Sequence, residues 1–316
     1  MASLLSKYMV KNQSHIAILL SSFNGARYLT SQLSSYVEQS HKKWSLFASD
    51  DGSSDETILI LNDFLKRPGI TGALFSGPAQ GFCANFMSLV TNKTILADYY
   101  AFSDQDDVWM ADKLEKAVKW LAEIPEDIPA LYCSRTTLTD AEGKIIGASP
   151  DYKLAPSFAN SLLQNIASGN TMIFNHKARE LLGLTQGMPM VAHDWSLYQI
   201  VSGCGGKVYF DNAPTVLYRQ HYNNVIGNSM GLTKRVRNFF QAYGGRAATW
   251  NNINFDILER VRSYLTPESV ATLQDFKAIR NSSILARLRL MKSSGVYHQQ
   301  AIGCCTTLAY VLLNKL

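Results

Sequence analysis

Apolar and polar positions alternate in four successive cycles through the first 121 residues. Each cycle is a short apolar run, a polar loop and an amphipathic segment. "HIAILLSSF" reads as a buried strand, carried by Ile16, Ile18, Leu19 and Leu20, and Tyr28, Leu29, Leu33, Tyr36 and Val37 then recur at helical spacing. "WSLFASDD" predicts a second strand, followed by a helix through Ile58, Leu61, Phe64 and Leu65. "ALF" at 73–75 is a weaker third strand, with a short helix through Phe86, Leu89 and Val90 behind it. "YYAFS" is the fourth, and Leu114, Ala117, Val118 and Leu121 face inward on the next helix. Asp112 and Glu115 form a capping-box pattern at that helix's start. Strands alternating with helices predict a parallel sheet covered by helices.

Every one of the four strands runs into a polar loop: "SSFNGAR", "DDGSSD", "SGPAQG" and "SDQDD". Ligands of open α/β sheets bind beyond the carboxyl ends of the strands, so these loops should converge on one crevice. The second half is less regular. "ALYCS" and "SGNTMIF" read as strands, "DWSLYQIVSG" as a short helix, and "KVYF" and "TVLYRQH" as two more strands. Beyond residue 230 the period becomes helical, in "TKRVRNFFQAY", "NINFDILERVRSYL" and "SVATLQDFKAIRNSSILARLRLM".

At 316 residues, with 47% hydrophobic and 17% charged residues, the chain has the composition of a globular protein with a full core. Its net charge of +5 is unevenly spread. Residues 1–229 carry 18 Lys and Arg against 21 Asp and Glu, a net of −3, whereas residues 230–316 carry 12 against 4, a net of +8. A basic C-terminal region predicts an anionic partner such as a membrane surface or a lipid-linked phosphate, rather than nucleic acid. A merely solvated helical face is the plainer alternative. "MASLLSKYMVKNQSH" lacks the apolar core of a secretory signal, and no run reaches the roughly 18 apolar residues of a spanning helix, so the expected location is cytoplasmic. Cys83, Cys133, Cys204, Cys304 and Cys305 show neither metal-ligand spacing nor a disulfide framework and read as reduced thiols.

The chemistry concentrates in "AFSDQDDVWM", where Asp104, Asp106 and Asp107 crowd the end of the fourth strand. Carboxylates that close repel. A hard divalent cation, Mg²⁺ or Mn²⁺, relieves the repulsion and bridges to substrate phosphates. An acidic solvated loop is the alternative. "DQDDV" also fits the signature of a haloacid dehalogenase-type phosphohydrolase, with Asp104 as nucleophile and Asp106 as acid/base, although no later acidic pair follows.

Taken in order, "SFNGAR", "SDDGSSDET", "FSDQDDVW", "SGNTMIF" and "AHDW" resemble glycosyltransferase family 2, the inverting transferases of the GT-A fold. "GFCANF", "FSDQDDVWMADKL" and "YRQHYNNVIG" resemble its rhamnosyltransferase-like branch. The resemblance covers roughly residues 14–229. It implies a GT-A domain over 1–229, with a nucleotide-binding half at about 14–110 and an acceptor half at 111–229, and a basic helical extension over 230–316. It implies a mostly parallel central sheet flanked by helices. It implies transfer of a sugar, with L-rhamnose from dTDP-L-rhamnose foremost, to a saccharide acceptor, lipid-linked, in surface polysaccharide or O-antigen synthesis at the inner membrane face.

Carried over by position, the resemblance places Phe23 and Asn24 in the nucleotide pocket and Asp50 and Asp51 at base and ribose. A turn with Ser54 as helix cap is the plainer reading of that loop. Gly81 and Asn85 would line the donor site, Asp104 would face the ribose or the metal, and Asp106 would be the principal metal ligand. Asp107 would orient the loop or help place the donor sugar. Asp194 matches the general base, with a bare helix N-cap as the alternative; His193 would shape the acceptor site, and Trp195 would stack on a sugar face or simply pack. His221 would complete the metal site or contact the diphosphate, with a purely structural histidine as the alternative, and Arg219 would neutralise the diphosphate. A catalytically inactive nucleotide-sugar-binding subunit is the non-enzymatic alternative.

Overall fold

The computed structural model describes residues 14–221 and 246–316. The four predicted strands are β1 (Ile16–Ser22), β2 (Trp44–Asp50), β3 (Gly72–Ser76) and β4 (Tyr99–Ser103). The helices between them are α1 (Ala26–Val37), α2 (Thr57–Leu65) and α3 (Phe82–Val90), and α4 (Lys113–Leu121) follows β4. Pairing of β3, β2, β1 and β4 is parallel throughout. Strand β1 is apolar almost without interruption because both its faces are covered. Ile16, Ile18 and Leu20 pack with α1, α2 and α4, while Ala17 and Leu19 face α3 on the other side of the sheet.

Beyond β4 the sheet becomes mixed, where the sequence predicted a mostly parallel one. It continues through β8 (Ile173–Asn175), β6 (Ala130–Thr139), β9 (Lys207–Arg219) and β5 (Val108–Trp109), with β7 (Ile145–Ala148) paired to β6. Strand β8 is antiparallel to both β4 and β6, whereas β6 and β9 run parallel. "KVYF" and "TVLYRQH" are therefore not two strands. They form one strand that absorbs the intervening polar residues in a register shift opposite Ser134–Thr136. "SGNTMIF" divides into a 3₁₀ turn at Gly169–Thr171 and the short β8. The capping box at Asp112 does not form: Asp112 pairs with Lys116 at 2.8 Å, and Glu115 accepts from the Ser40 hydroxyl at 2.5 Å.

Two further helices, α5 (His176–Gly183) and α6 (His193–Gly203), cover the second half of the sheet. The C-terminal region forms α7 (Ala247–Arg260), α8 (Pro267–Ala278), α9 (Ile284–Ser294) and α10 (Ala301–Leu313). "TKRVRNFFQAY" and the expected boundary at residue 229 lie outside the described residues. The long helical run after residue 267 breaks at Ser282, and Ser283 precedes α9.

These helices do not stand apart from the sheet as a separate extension. Ile257, Leu258, Val261, Leu273 and Ile279 belong to one continuous core with Leu197, Val201, Phe174 and Phe102. Removing residues 246–316 would therefore strip an apolar wall from the sheet domain. Leu258 is fully buried in that core. Leu258→Ala is expected to lower the unfolding free energy of the whole chain by about 2–5 kcal/mol, read as one shifted transition in urea. A separate C-terminal transition, with the remainder unshifted, would contradict the shared core.

Candidate active site

The ends of β1, β2 and β4 open onto one cleft of about 1520 Å³. Phe23, Asn24, Asp51, Gly81, Asn85, Asp104, Asp106, His193, Asp194, Trp195 and His221 all line it. The N-terminal turn of α6 supplies Asp194 and the end of β9 leads into His221, so residues far apart in sequence meet there.

On the β1 side the loops are tied to each other. Gln105 donates to Phe23 O and accepts from Phe23 N–H, both at 2.9 Å. A Cβ on Gly25 would lie 2.1 Å from the Gln105 Oε1, so a side chain there would displace this clasp. Phe23 is 55% exposed and projects beside the cleft. Asn24 takes a left-handed φ of 49° and its Oδ1 accepts from both the N–H and the hydroxyl of Ser54; α2 starts after Glu56 with no side-chain cap, so Ser54 does not cap it. That loop instead turns on Asp55, whose Oδ1 accepts from Thr57 N–H at 3.0 Å.

The two aspartates of "DDGS" have different tasks. Asp50 is buried, accepting from the Ser22 and Ser53 hydroxyls and from Gly52 and Ser53 N–H, and does not line the main cleft. The carboxylate expected at base and ribose is thus taken up by donors of its own loop and of β1. Asp51 reaches the cleft and braces the β3–α3 loop, accepting from Ala79 N–H at 2.7 Å and Gly81 N–H at 2.8 Å. Gly81 holds a φ of 88°, which favours glycine. Asn85 donates to Ser21 Oγ and Ser49 O, while its Oδ1 has no protein partner among the described residues.

The three crowded carboxylates of the β4 loop diverge. Asp106 Oδ2 lies 2.7 Å from His221 Nε2. Tyr28 stacks on that imidazole at 5.1 Å between centroids. Asp107 turns inward and is fully buried, accepting from Asn170 Nδ2 at 2.6 Å and Arg219 N–H at 3.2 Å. Burial, with Asp106 and Asp104 beside it, holds its carboxyl well above the usual range. Asp104 stays at the cleft, raised to about 8 by burial and then by Asp106 and Asp194.

Arg219, expected at the diphosphate, is not among the residues that line the cleft. Its Nε donates to Asp106 O at 3.0 Å, its Nη1 to Ala141 O at 2.8 Å, and the guanidinium lies 4.7 Å from the Tyr28 ring. A buried cation needs acceptors, and these two carbonyls tie it to the β4 loop and to the β6–β7 turn.

Asp194 sits opposite in sequence but close in space. Its Oδ2 accepts from Gly169 N–H at 2.9 Å and its Oδ1 from Trp195 N–H at 2.6 Å. Burial pushes it up to about 6, against the pull of those N–H donors and of Asn165. His193 is buried with both ring nitrogens lacking protein partners among the described residues. It stacks on Phe86 at 4.0 Å, and burial lowers it to about 3. Trp195 packs, donating Nε1–H to Ser161 O at 2.7 Å, with Trp250 of α7 edge-on at 6.0 Å.

Two residues absent from the sequence reading join these parts. Asn170 bonds Asp107 through its side chain, accepts from Lys113 Nζ at 3.1 Å through its carbonyl, and follows the Gly169 N–H that holds Asp194. Lys113 is fully buried over the Trp109 ring, and burial lowers it to about 7. Its signal was in the sequence: Lys113 falls on the inward stripe with Leu114, Ala117, Val118 and Leu121, where a lysine needs a partner. Asn170 had no such signal, since a Gly-Asn pair reads as any turn.

Asp106 and His221 offer one oxygen and one nitrogen donor in contact, a set suited to Mg²⁺ or Mn²⁺. No group of three or more such ligands occurs among the described residues. Further donors would have to come from the substrate's phosphates, which is the usual way Mg²⁺ is held.

A family model for glycosyl transferase family 2 matches residues 17–178. A dTDP-rhamnosyl transferase of Shigella flexneri is 29% identical over 229 residues, covering 69% of this chain and 77% of that protein. An Escherichia coli UDP-Glc:α-D-GlcNAc-diphosphoundecaprenol β-1,3-glucosyltransferase is 27% identical over 107 residues, 34% of this chain and 40% of that one. Among solved structures, Staphylococcus aureus TarS 1–349 with UDP-GlcNAc aligns with a TM-score of 0.53 at 13% identity, covering 95% of this chain and 88% of that one. GalNAc-T7 with UDP, GalNAc and Mn²⁺ aligns with a TM-score of 0.51 at 12% identity, covering 90% and 56%. The fold is thus GT-A, and the phosphohydrolase reading of "DQDDV" is set aside. The chain belongs to glycosyltransferase family 2.

Proposed function

We propose that this glycosyltransferase is an inverting, divalent-cation-dependent enzyme that moves L-rhamnose from dTDP-L-rhamnose to a lipid-linked saccharide in surface polysaccharide synthesis, O-antigen included. The observation that carries the reading is the meeting of Asp106–His221 and Asp194 on one cleft, with Asn170 bonded to the first loop and adjacent to the Gly169 amide that holds the second. The dTDP-rhamnosyl activity of the Shigella relative supports the donor. The diphosphoundecaprenol acceptor named for the Escherichia coli relative supports a lipid-linked one, met at the inner membrane face.

In this reading Phe23, Asn24, Asp51, Gly81 and Asn85 border the nucleotide, and Asp104 faces its ribose or the cation. Asp106 and His221 hold the cation, which when bound offsets the negative charge of the departing diphosphate. Asp194 takes the proton from the attacking acceptor hydroxyl. Its buried carboxyl is a stronger base than an exposed one, and its two backbone donors fix the direction in which it accepts. His193, neutral between its aromatic neighbours, and Trp195 form the wall beside that base. Asp50 and Arg219 hold loops in place rather than ligand.

Asp194 must be ionised to act, and its pKa near 6 lies above the usual carboxylate range. The turnover rate at saturating substrate is therefore expected to fall about tenfold per pH unit below about 6. Asp194→Asn is expected to abolish transfer while nucleotide-sugar binding, read by calorimetry, persists. A rate indifferent to pH between 5 and 7, or an active Asp194→Asn variant, would remove the base assignment.

Asp106→Ala and chelation by EDTA are each expected to cut nucleoside diphosphate release by more than about a hundredfold, with Mn²⁺ restoring only the chelated wild type. Release measured across a panel of dTDP- and UDP-sugars should be highest with dTDP-L-rhamnose. Undiminished turnover in EDTA would eliminate the cation, and a preference for a UDP-hexose would eliminate the rhamnosyl assignment.

A further inference from the structure

The last two helices carry a surface that the catalytic reading leaves unused. In α10 no residue is charged, and apolar side chains surround the whole helix. A helix apolar on all sides belongs inside a core or against lipid. Only one side of α10 is in the core, through Tyr310 and Val311. On the other side Ala301, Cys305, Leu308 and Leu312 follow one another at steps of four, three and four, all exposed, with Ile302 and Leu313 at 65% and 52% exposure beside them.

Helix α9 extends this face. Leu285, 71% exposed, Leu288, Arg289 and Lys292 fall on one side of it. Arg287, near the start of α9, donates through Nη1 to the carbonyls of Val311 and Leu312 near the end of α10. That contact, made from the inward side of α9, sets the start of α9 beside the end of α10, and Ile284, Leu285 and Leu288 of the one and Leu308, Leu312 and Leu313 of the other are all exposed.

Cations outnumber carboxylates at the border, where Asp275 of α8 accepts from the Ser293 hydroxyl at 2.6 Å and Lys277 pairs with Glu259. No Asp or Glu occurs between residues 276 and 316, whereas Lys277, Arg280, Arg287, Arg289, Lys292 and Lys315 do. Exposed apolar residues with an excess of cations around them, Arg289 and Lys292 foremost, complement a lipid surface with anionic headgroups. A protein partner of ordinary composition would not require that one-sided charge. Spanning is excluded by length: α10 has 13 residues, about 20 Å of helix against a hydrocarbon core of about 30 Å. No helix among the described residues is long and apolar enough to cross.

We propose that the exposed face of α9 and α10 lies in the surface of an anionic phospholipid bilayer, Leu285, Leu288, Ile302, Leu308, Leu312 and Leu313 entering the headgroup boundary and Arg289 and Lys292 meeting lipid phosphates. The proposal places membrane contact in these two helices rather than in the basic region as a whole. It stands independently of the assigned donor sugar and base.

The test is co-sedimentation of the full chain with vesicles of equal parts phosphatidylglycerol and phosphatidylcholine, and with phosphatidylcholine alone. The wild type should partition onto the anionic vesicles and less onto the neutral ones. Leu285→Glu with Leu312→Glu should reduce partitioning by at least about tenfold. Arg289→Glu with Lys292→Glu should remove the preference for phosphatidylglycerol. Because these side chains are exposed, circular dichroism and release of nucleoside diphosphate with a soluble acceptor should match wild type, which separates this test from that of the transferase reading. Three results would overturn the proposal: no binding to either vesicle, unchanged binding of the Leu285→Glu/Leu312→Glu variant, or a wild-type dimer in sedimentation velocity that the variant dissociates.

Discussion

Three carboxylates within four positions at the end of β4 impose the constraint around which this site is built. Left together in a half-buried loop they would repel by several kcal/mol at low effective dielectric. The chain separates them by giving each its own surroundings. Asp107 turns into the protein toward Asn170 and the Arg219 amide, Asp106 turns toward His221, and Asp104 remains at the cleft. Each partner comes from a different part of the fold. Relieving the repulsion therefore draws the 168–171 turn and the end of β9 against the β4 loop.

That convergence explains why a mixed sheet serves better here than a wholly parallel one. Strand β8 runs antiparallel to β4, so the turn preceding β8 sits beside the loop that follows β4. Gly169 and Asn170 occupy that turn, one holding Asp194 and the other Asp107. Asp194 and the acidic loop are positioned through adjacent residues of one backbone. Lys113 fixes the same turn from beneath, its ammonium buried over Trp109. The C-terminal helices contribute Trp250 to the cleft wall and complete the core under α6.

The first four strands were legible because burial on both faces leaves an uninterrupted apolar run that little else in a globular chain produces. Their loops were legible as one site for the same topological reason. The protein partners of Asp50 and Arg219 were not legible, because a charged residue near a site has two uses and the sequence does not show which acceptors or donors fold back on it. Ser22, Ser53 and Gly52 claim Asp50, and the carbonyls of Asp106 and Ala141 claim Arg219. The continuity of β9 was hidden because "DNAP" reads as a turn, whereas a register shift carries the strand through it. The union of the C-terminal helices with the sheet domain was invisible because helical periodicity reveals an apolar face without naming what covers it.

The central claim is that a single aspartate base and a cation-binding acidic loop act across one cleft in a direct displacement. The anomeric configuration of the product, followed by proton NMR from the first turnovers, tests it most directly. A configuration opposite to that of the donor sugar is expected. Retention of the donor's configuration would contradict it, because one displacement assisted by Asp194 cannot produce that outcome.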